Sequence, residues 1–123
     1  MGILATEGQE NKTATAEDAE AAIRRLDGAK FSLVLFTLFT GETLLVGGGP
    51  NRFVVELATD SSHRWCVITG QCGDENISLV VGGQSAEFPG DICVSIDVAI
   101  EAIRSFINSN GKRSEQLEWA AKT

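Results

Sequence analysis

Apolar residues recur along this chain with three different rhythms, and each rhythm predicts a different element. Residues 1–13 show none of them: they are polar and contain glycine, and are expected to form a flexible N-terminal segment ahead of one folded domain over 14–123. Thr15 stands where a helix N-cap belongs, with Glu17 and Asp18 in the first turn, where the helix dipole favours negative charge. Ala19, Ala22, Ile23 and Leu26 then share one helical face, and Gly28 is a natural stop. That stripe is thin and alanine-rich, as on a helix lying outside a sheet. A broader stripe near the C-terminus joins Ile96, Ala99, Ile100, Ile103, Phe106 and Ile107, capped by Ser95 or Asp97 and ended by Gly111.

Between the helices the period is that of strands. Residues 31–39 are apolar on both faces, the pattern of an inner strand covered on both sides. Gly41-Glu42 marks a hairpin turn into residues 43–46, and the run Gly47-Gly48-Gly49-Pro50-Asn51 breaks the chain again. Phe53, Val55 and Leu57 alternate with Val54 and Glu56, so that strand has one buried face. A loop at 60–63 leads into a strand over 64–69, a second loop spans 70–76, and Ile77, Leu79 and Val81 alternate in the strand that follows. Residues 92–96 read as a further short strand. Parallel neighbours would need crossovers of a dozen residues or more, which these tight turns do not supply. The expected fold is α+β: a single twisted antiparallel sheet of about five to seven strands, with an N-terminal and a C-terminal helix packed mainly on one side.

Composition narrows the function. The chain has 123 residues with 6 Phe, 2 Trp and no Tyr, so Val, Ile and Leu must build the core. Its net charge of -7 argues against a nucleic-acid or membrane-surface partner, since either needs a basic face. The distribution says more than the total. Between Phe53 and Ile103 stand Glu56, Asp60, Asp74, Glu75, Glu87, Asp91, Asp97 and Glu101 against one base, Arg64, while the rest of the chain balances. Such a segment is either a well-solvated surface or a face complementary to a basic partner. The N-terminus lacks the pattern of a secretory signal, no apolar run approaches the ~18 residues of a membrane span, and Cys66, Cys72 and Cys93 cannot all pair with one another. Reduced thiols in a cytoplasm are the economical expectation.

Candidate chemistry is sparse. His63 is the sole histidine, and Ser61 and Ser62 beside it do not make a nucleophile elbow. The cysteine spacing matches no zinc site. The glycine clusters precede no helix N-terminus and read as turns or bulges. Asp74-Glu75 lies between Gly73 and Asn76 in a wet loop, without the apolar pocket that raises a catalytic carboxyl. No catalytic residue, metal or cofactor is expected. Trp119, in a polar tail, either folds back as a last strand that plugs the core or stands as an exposed anchor for a partner; Trp65, within a strand, is assigned to the core.

The order and spacing of Gly82-Gly83, Glu87-Phe88-Pro89, the helix ending at Phe106 and Gly111, and Glu118-Trp119 is similar to the first immunity-protein family of bacterial polymorphic toxin systems, over roughly residues 40–119. Members of that family are small cytoplasmic proteins encoded beside toxins, often nucleic-acid deaminases, and they protect the producing cell by binding the toxin. The resemblance implies the same role here, with a cognate toxin of basic surface as partner, and no nucleic acid or membrane. Candidate partner-binding residues are Asp60, His63, Asp74, Glu75, Glu87, Asp91, Glu118 and Trp119. The alternatives are a small acidic secretion chaperone, or a small enzyme with an unrecognised site.

Overall fold

The computed structural model describes residues 2–60, 62–68 and 75–122. Strands β1 (Gly2–Thr6) and β2 (Gln9–Ala14) open the chain, followed by helix α1 (Ala16–Arg24). Four strands follow: β3 (Leu33–Leu38), β4 (Thr43–Gly48), β5 (Phe53–Ala58) and β6 (Arg64–Ile68). A hairpin of β7 (Asn76–Val81) and β8 (Gln84–Pro89), a 3-10 turn (Gly90–Ile92), helix α2 (Ile96–Asn108) and strand β9 (Glu118–Lys122) complete it. Seven strands make one antiparallel sheet in the order β2-β1-β3-β4-β5-β6-β9, and β7 and β8 pair in a separate two-stranded sheet.

The α+β class and both helices agree with the sequence pattern. Thr15 and Asp18 form a reciprocal capping box on α1, and the Ser95 side chain accepts from the Val98 N–H at the start of α2. Both helices lie on one face of the sheet. Ala19, Ala22, Ile23 and Leu26 of the α1 region meet Ala99, Ile100, Ile103, Phe106 and Ile107 of α2 over a floor of Leu4, Val34, Phe36, Leu44, Val46, Val55, Leu57 and Val67. Phe36 and Phe106 pack edge-on at 6.5 Å, and Arg104 joins Glu20 across the helix pair at 3.2 Å.

Three elements differ from the sequence expectations, each for a tertiary reason. Residues 2–13, expected within the flexible segment, form the β1–β2 hairpin together with Ala14, and Leu4 and Ala14 of this hairpin enter the core. What holds the segment is β3, which pairs with β1 along its whole length, so a polar stretch is ordered by its neighbour. The expected strand at 92–96 is reduced to one bridge between Phe53 and Val94, because the 3-10 turn and the α2 cap take the residues on either side. Strand β8, after the double glycine, was not among the expected strands, and it pairs with β7 in a separate small sheet instead of joining the main one. Gly82 and Gly83, at φ of 62° and 81°, close the tight turn between β7 and β8, a conformation glycine adopts without strain.

The β7–β8 hairpin lies across the sheet face opposite the helices, on a second small core of Val54, Leu79 and Cys93 flanked by Ile77, Val81, Phe88 and Ile92. A Cβ on Gly47 would lie 2.5 Å from Val81 Cγ1, so the bare backbone of β4 is what lets the hairpin sit down.

Candidate functional site

Strand alternation and register determine what this second face presents. Core residues of β1, β3, β4, β5 and β6 point to the helices, so their neighbours point away. One transverse row on the outer face reads Ala5, Leu35, Leu45, Glu56, Cys66, Ala120, each opposite the next on the adjacent strand. A second reads Ile3, Thr37, Thr43, Ala58, Arg64, Lys122. The hairpin covers the row beyond these, over Leu33, Gly47 and Val54, and its Phe88 with the following Ile92 reaches the edge of the first row at Leu45, Glu56 and Cys66; the rest of the two rows stays open. A shallow hollow of about 230 Å³ there is lined by Leu35, Thr43, Leu45, Glu56, Ala58 and Arg64. Phe39, in the turn at the end of β3, is 68% exposed.

Glu56 is the acid at the centre of this face, and two cations more than offset its charge. Lys122 reaches it at 2.8 Å and Arg64 at 3.4 Å. Burial pushes the neighbouring Cys66 thiol up; Lys122 opposes the shift, whereas the charges of Glu56 and Asp91 add to it. Asp91 therefore stands within electrostatic reach of the open rows.

The predicted partner-binding residues do not form one surface. Glu75, Glu87 and Asp91 gather around the base of the β7–β8 hairpin, where the Gly90 N–H donates to the Glu75 carbonyl at 2.6 Å. Glu87 points outward from β8, because its neighbour Phe88 points into the small core. Glu118 begins β9 on the same side of the sheet as Ala120 and Lys122, paired with Ile68. Asp60 and His63 sit in the turn between β5 and β6, one strand length away at the other end. Asp74 lies outside the described residues, as does Cys72.

At that other end Asp60 holds its turn closed. Its carboxylate accepts from the Ser62 and His63 N–H groups at 2.7 Å and 2.9 Å and lies 2.9 Å from His63 Nδ1. The Ser62 N–H first, then the His63 ring, hold its carboxyl below the usual range. The His63 ring stacks over Trp65 at 6.3 Å, and Arg113 lies 4.3 Å from the Trp65 ring centre. Trp119 faces the helix side, donates its indole N–H to the Ser114 carbonyl at 3.0 Å and packs half-buried against the main core. It is the plug of a last strand. Trp65, assigned to the core by sequence, is half-buried and lines an open cleft of about 600 Å³ with Trp119, Lys112 and Arg113.

Sequence reasoning did not bring Leu35, Leu45, Glu56, Arg64 and Lys122 together as one surface. One signal pointed to them: residues 31–39 are apolar on both faces, and only one of those faces is covered along its length. Among the described residues no cluster of three or more His, Cys, Asp or Glu stands close enough to hold a metal ion. None of the described helices is long and apolar enough to cross a membrane.

The family model described as immunity protein Imm1 matches residues 7–121. The match extends upstream of the landmarks between residues 82 and 119, through α1 and into the turn between β1 and β2. No curated protein matches the chain.

Proposed function

The chain belongs to the Imm1 family of immunity proteins, and we propose that it protects a bacterial cell by binding a cognate toxin in the cytoplasm and blocking its substrate groove. The toxin is of the nucleic-acid-acting, deaminase type. Any such enzyme needs a basic groove, because a polynucleotide must have its phosphate charge neutralised to bind. An acidic protein that fills the groove excludes the substrate without performing any chemistry of its own.

The observation that carries this reading is the grouping of Glu75, Glu87 and Asp91 at the base of one hairpin, with Glu118 on the adjoining face, in a chain of net charge -7. Opposed fields of this kind raise the association rate and fix orientation. The test is twofold. Co-expression with the toxin encoded beside it should restore growth, and the purified pair should bind with an affinity that falls as salt rises. Growth arrest despite good expression of the folded chain, or affinity indifferent to salt, removes the mechanism.

A further inference from the structure

We propose that the toxin docks on the open face of the sheet, with its apolar contacts on Leu35 and Leu45 and its basic residues on the rim formed by Glu75, Glu87, Asp91 and Glu118; this rests on the immunity reading and says where that binding takes place. The argument begins with β3. An antiparallel sheet with one face in water normally alternates apolar and polar residues, and β3 does not: Leu33 and Leu35 face away from the helices while Val34, Phe36 and Leu38 fill the core. The β7–β8 hairpin accounts for Leu33, which lies 3.7 Å from the Cβ position of Gly82. Phe88 and Ile92 reach one side of Leu45, but among the described residues none from the hairpin lines the hollow formed by Leu35, Leu45 and Ala58. Exposed Phe39 extends the same surface past the end of β3.

Charge selects the occupant. An interface is built with an apolar centre and a polar rim. Here Glu56 is already paired with both Lys122 and Arg64, so it is not free for a basic residue from outside, and the centre keeps one surplus positive charge; the uncompensated acids stand on the rim. The rim on the hairpin side is acidic. A second copy of this chain would bring two such rims together and pay for it in repulsion, whereas a basic partner would be drawn to them. Size agrees. The two open rows cross six strands, about 24 Å by 14 Å, which is less than half of the ~800 Å² each partner covers in a standard interface. The footprint must therefore run on over the hairpin, where the acids are.

The probe is the toxin encoded beside this chain, inactivated at its own catalytic residue, titrated against the double variant Leu35→Gln with Leu45→Gln. Both changes are neutral, so the electric field is unchanged and a loss reports the apolar contact. Affinity should fall roughly 30-fold or more, as for central interface residues, with the melting transition kept cooperative. Phe39→Ser, at a side chain with little to lose on folding, should weaken binding about 10-fold by the same argument and serves if the double variant does not fold. Arg113→Glu, in the cleft on the helix side, should leave affinity within about threefold of wild type. Unchanged affinity in the folded double variant, or in Phe39→Ser where it replaces it, overturns the proposal. So does a wild-type dimer that the double variant converts to monomer, because a second copy would then be what covers this face. A wild-type chain that does not bind the toxin at all sinks the immunity reading, and the proposal with it.

Discussion

The Ser32 hydroxyl donates to the Glu7 carboxylate at 2.7 Å. The same carboxylate also accepts from the Ser32 N–H at 2.8 Å and the Leu33 N–H at 2.9 Å, and the Gly83 N–H donates back to the Ser32 hydroxyl at 2.9 Å. One fully buried serine thus ties together the β1–β2 turn, the start of β3 and the tip of the β7–β8 hairpin. This gives Gly83 a role beyond its backbone freedom: its amide anchors the hairpin across the sheet.

Glu7 should make stability depend on acid. Burial alone would push its carboxyl up, but hydrogen bonds from the Ser32 hydroxyl, the Ser32 N–H and the Leu33 N–H hold it below the ordinary 4.5. A carboxyl with a depressed folded-state pKa contributes stability that is fully present above its unfolded value and is lost as pH falls through the folded one. Glu7→Gln should therefore cost roughly 1–3 kcal/mol at pH 7, and the difference from wild type should shrink as pH drops below about 4.5. Urea denaturation at pH 7, 4 and 3 measures both; a difference that is the same at all three would show that the charge has no part in it.

Gly47 and Val81 should be coupled. Gly47→Ala places a methyl where Val81 now sits, and overpacking of this kind costs about 1–3 kcal/mol. Adding Val81→Ala makes room, so the double variant should be more stable than the sum of the single losses predicts, by roughly 0.5 kcal/mol or more. Strict additivity in thermal or urea melts would place the hairpin elsewhere.

Ile103 is 0% exposed between α2 and the sheet. Ile103→Asp would bury an unpaired carboxylate and should abolish the folded state. Dispersed amide resonances and a cooperative melt in that variant would contradict the packing of α2.

Charge reversal should separate the two ends of the molecule. Converting Glu75, Glu87, Asp91 and Glu118 to lysine should slow association with the toxin by roughly tenfold or more at low salt and flatten its salt dependence. Asp60→Lys, at the far end of β5, should change the association rate much less. Stopped-flow rates across a salt series decide this, and an Asp60 effect equal to the combined four would move the interface to the Trp65 cleft. His63→Ala, in the same turn, should leave protection intact.

Both helices, their caps and the antiparallel sheet were legible in the sequence because each rests on local signals. Thr15 with Asp18, Ser95, the stripe from Ile96 to Ile107, and the turns at Gly41 and Gly82-Gly83 determine their elements with almost no help from distant residues. The candidate partner-binding residues were legible only as a list of acids with His63 and Trp119. Sequence order places Asp60 fifteen positions from Glu75, yet a hairpin puts them at opposite ends of β5 and β6, and no periodicity states which end a loop occupies. The β1–β2 hairpin was hidden because its strands are ordered by pairing with β3 rather than by their own composition. The apolar second face of β3 was visible from the start as a demand for cover. Only the tertiary structure decided that the β7–β8 hairpin covers one row of it and leaves the rest, because the width and placement of a two-stranded hairpin are set by where Gly47 lets Val81 in and where Ser32 holds Gly83.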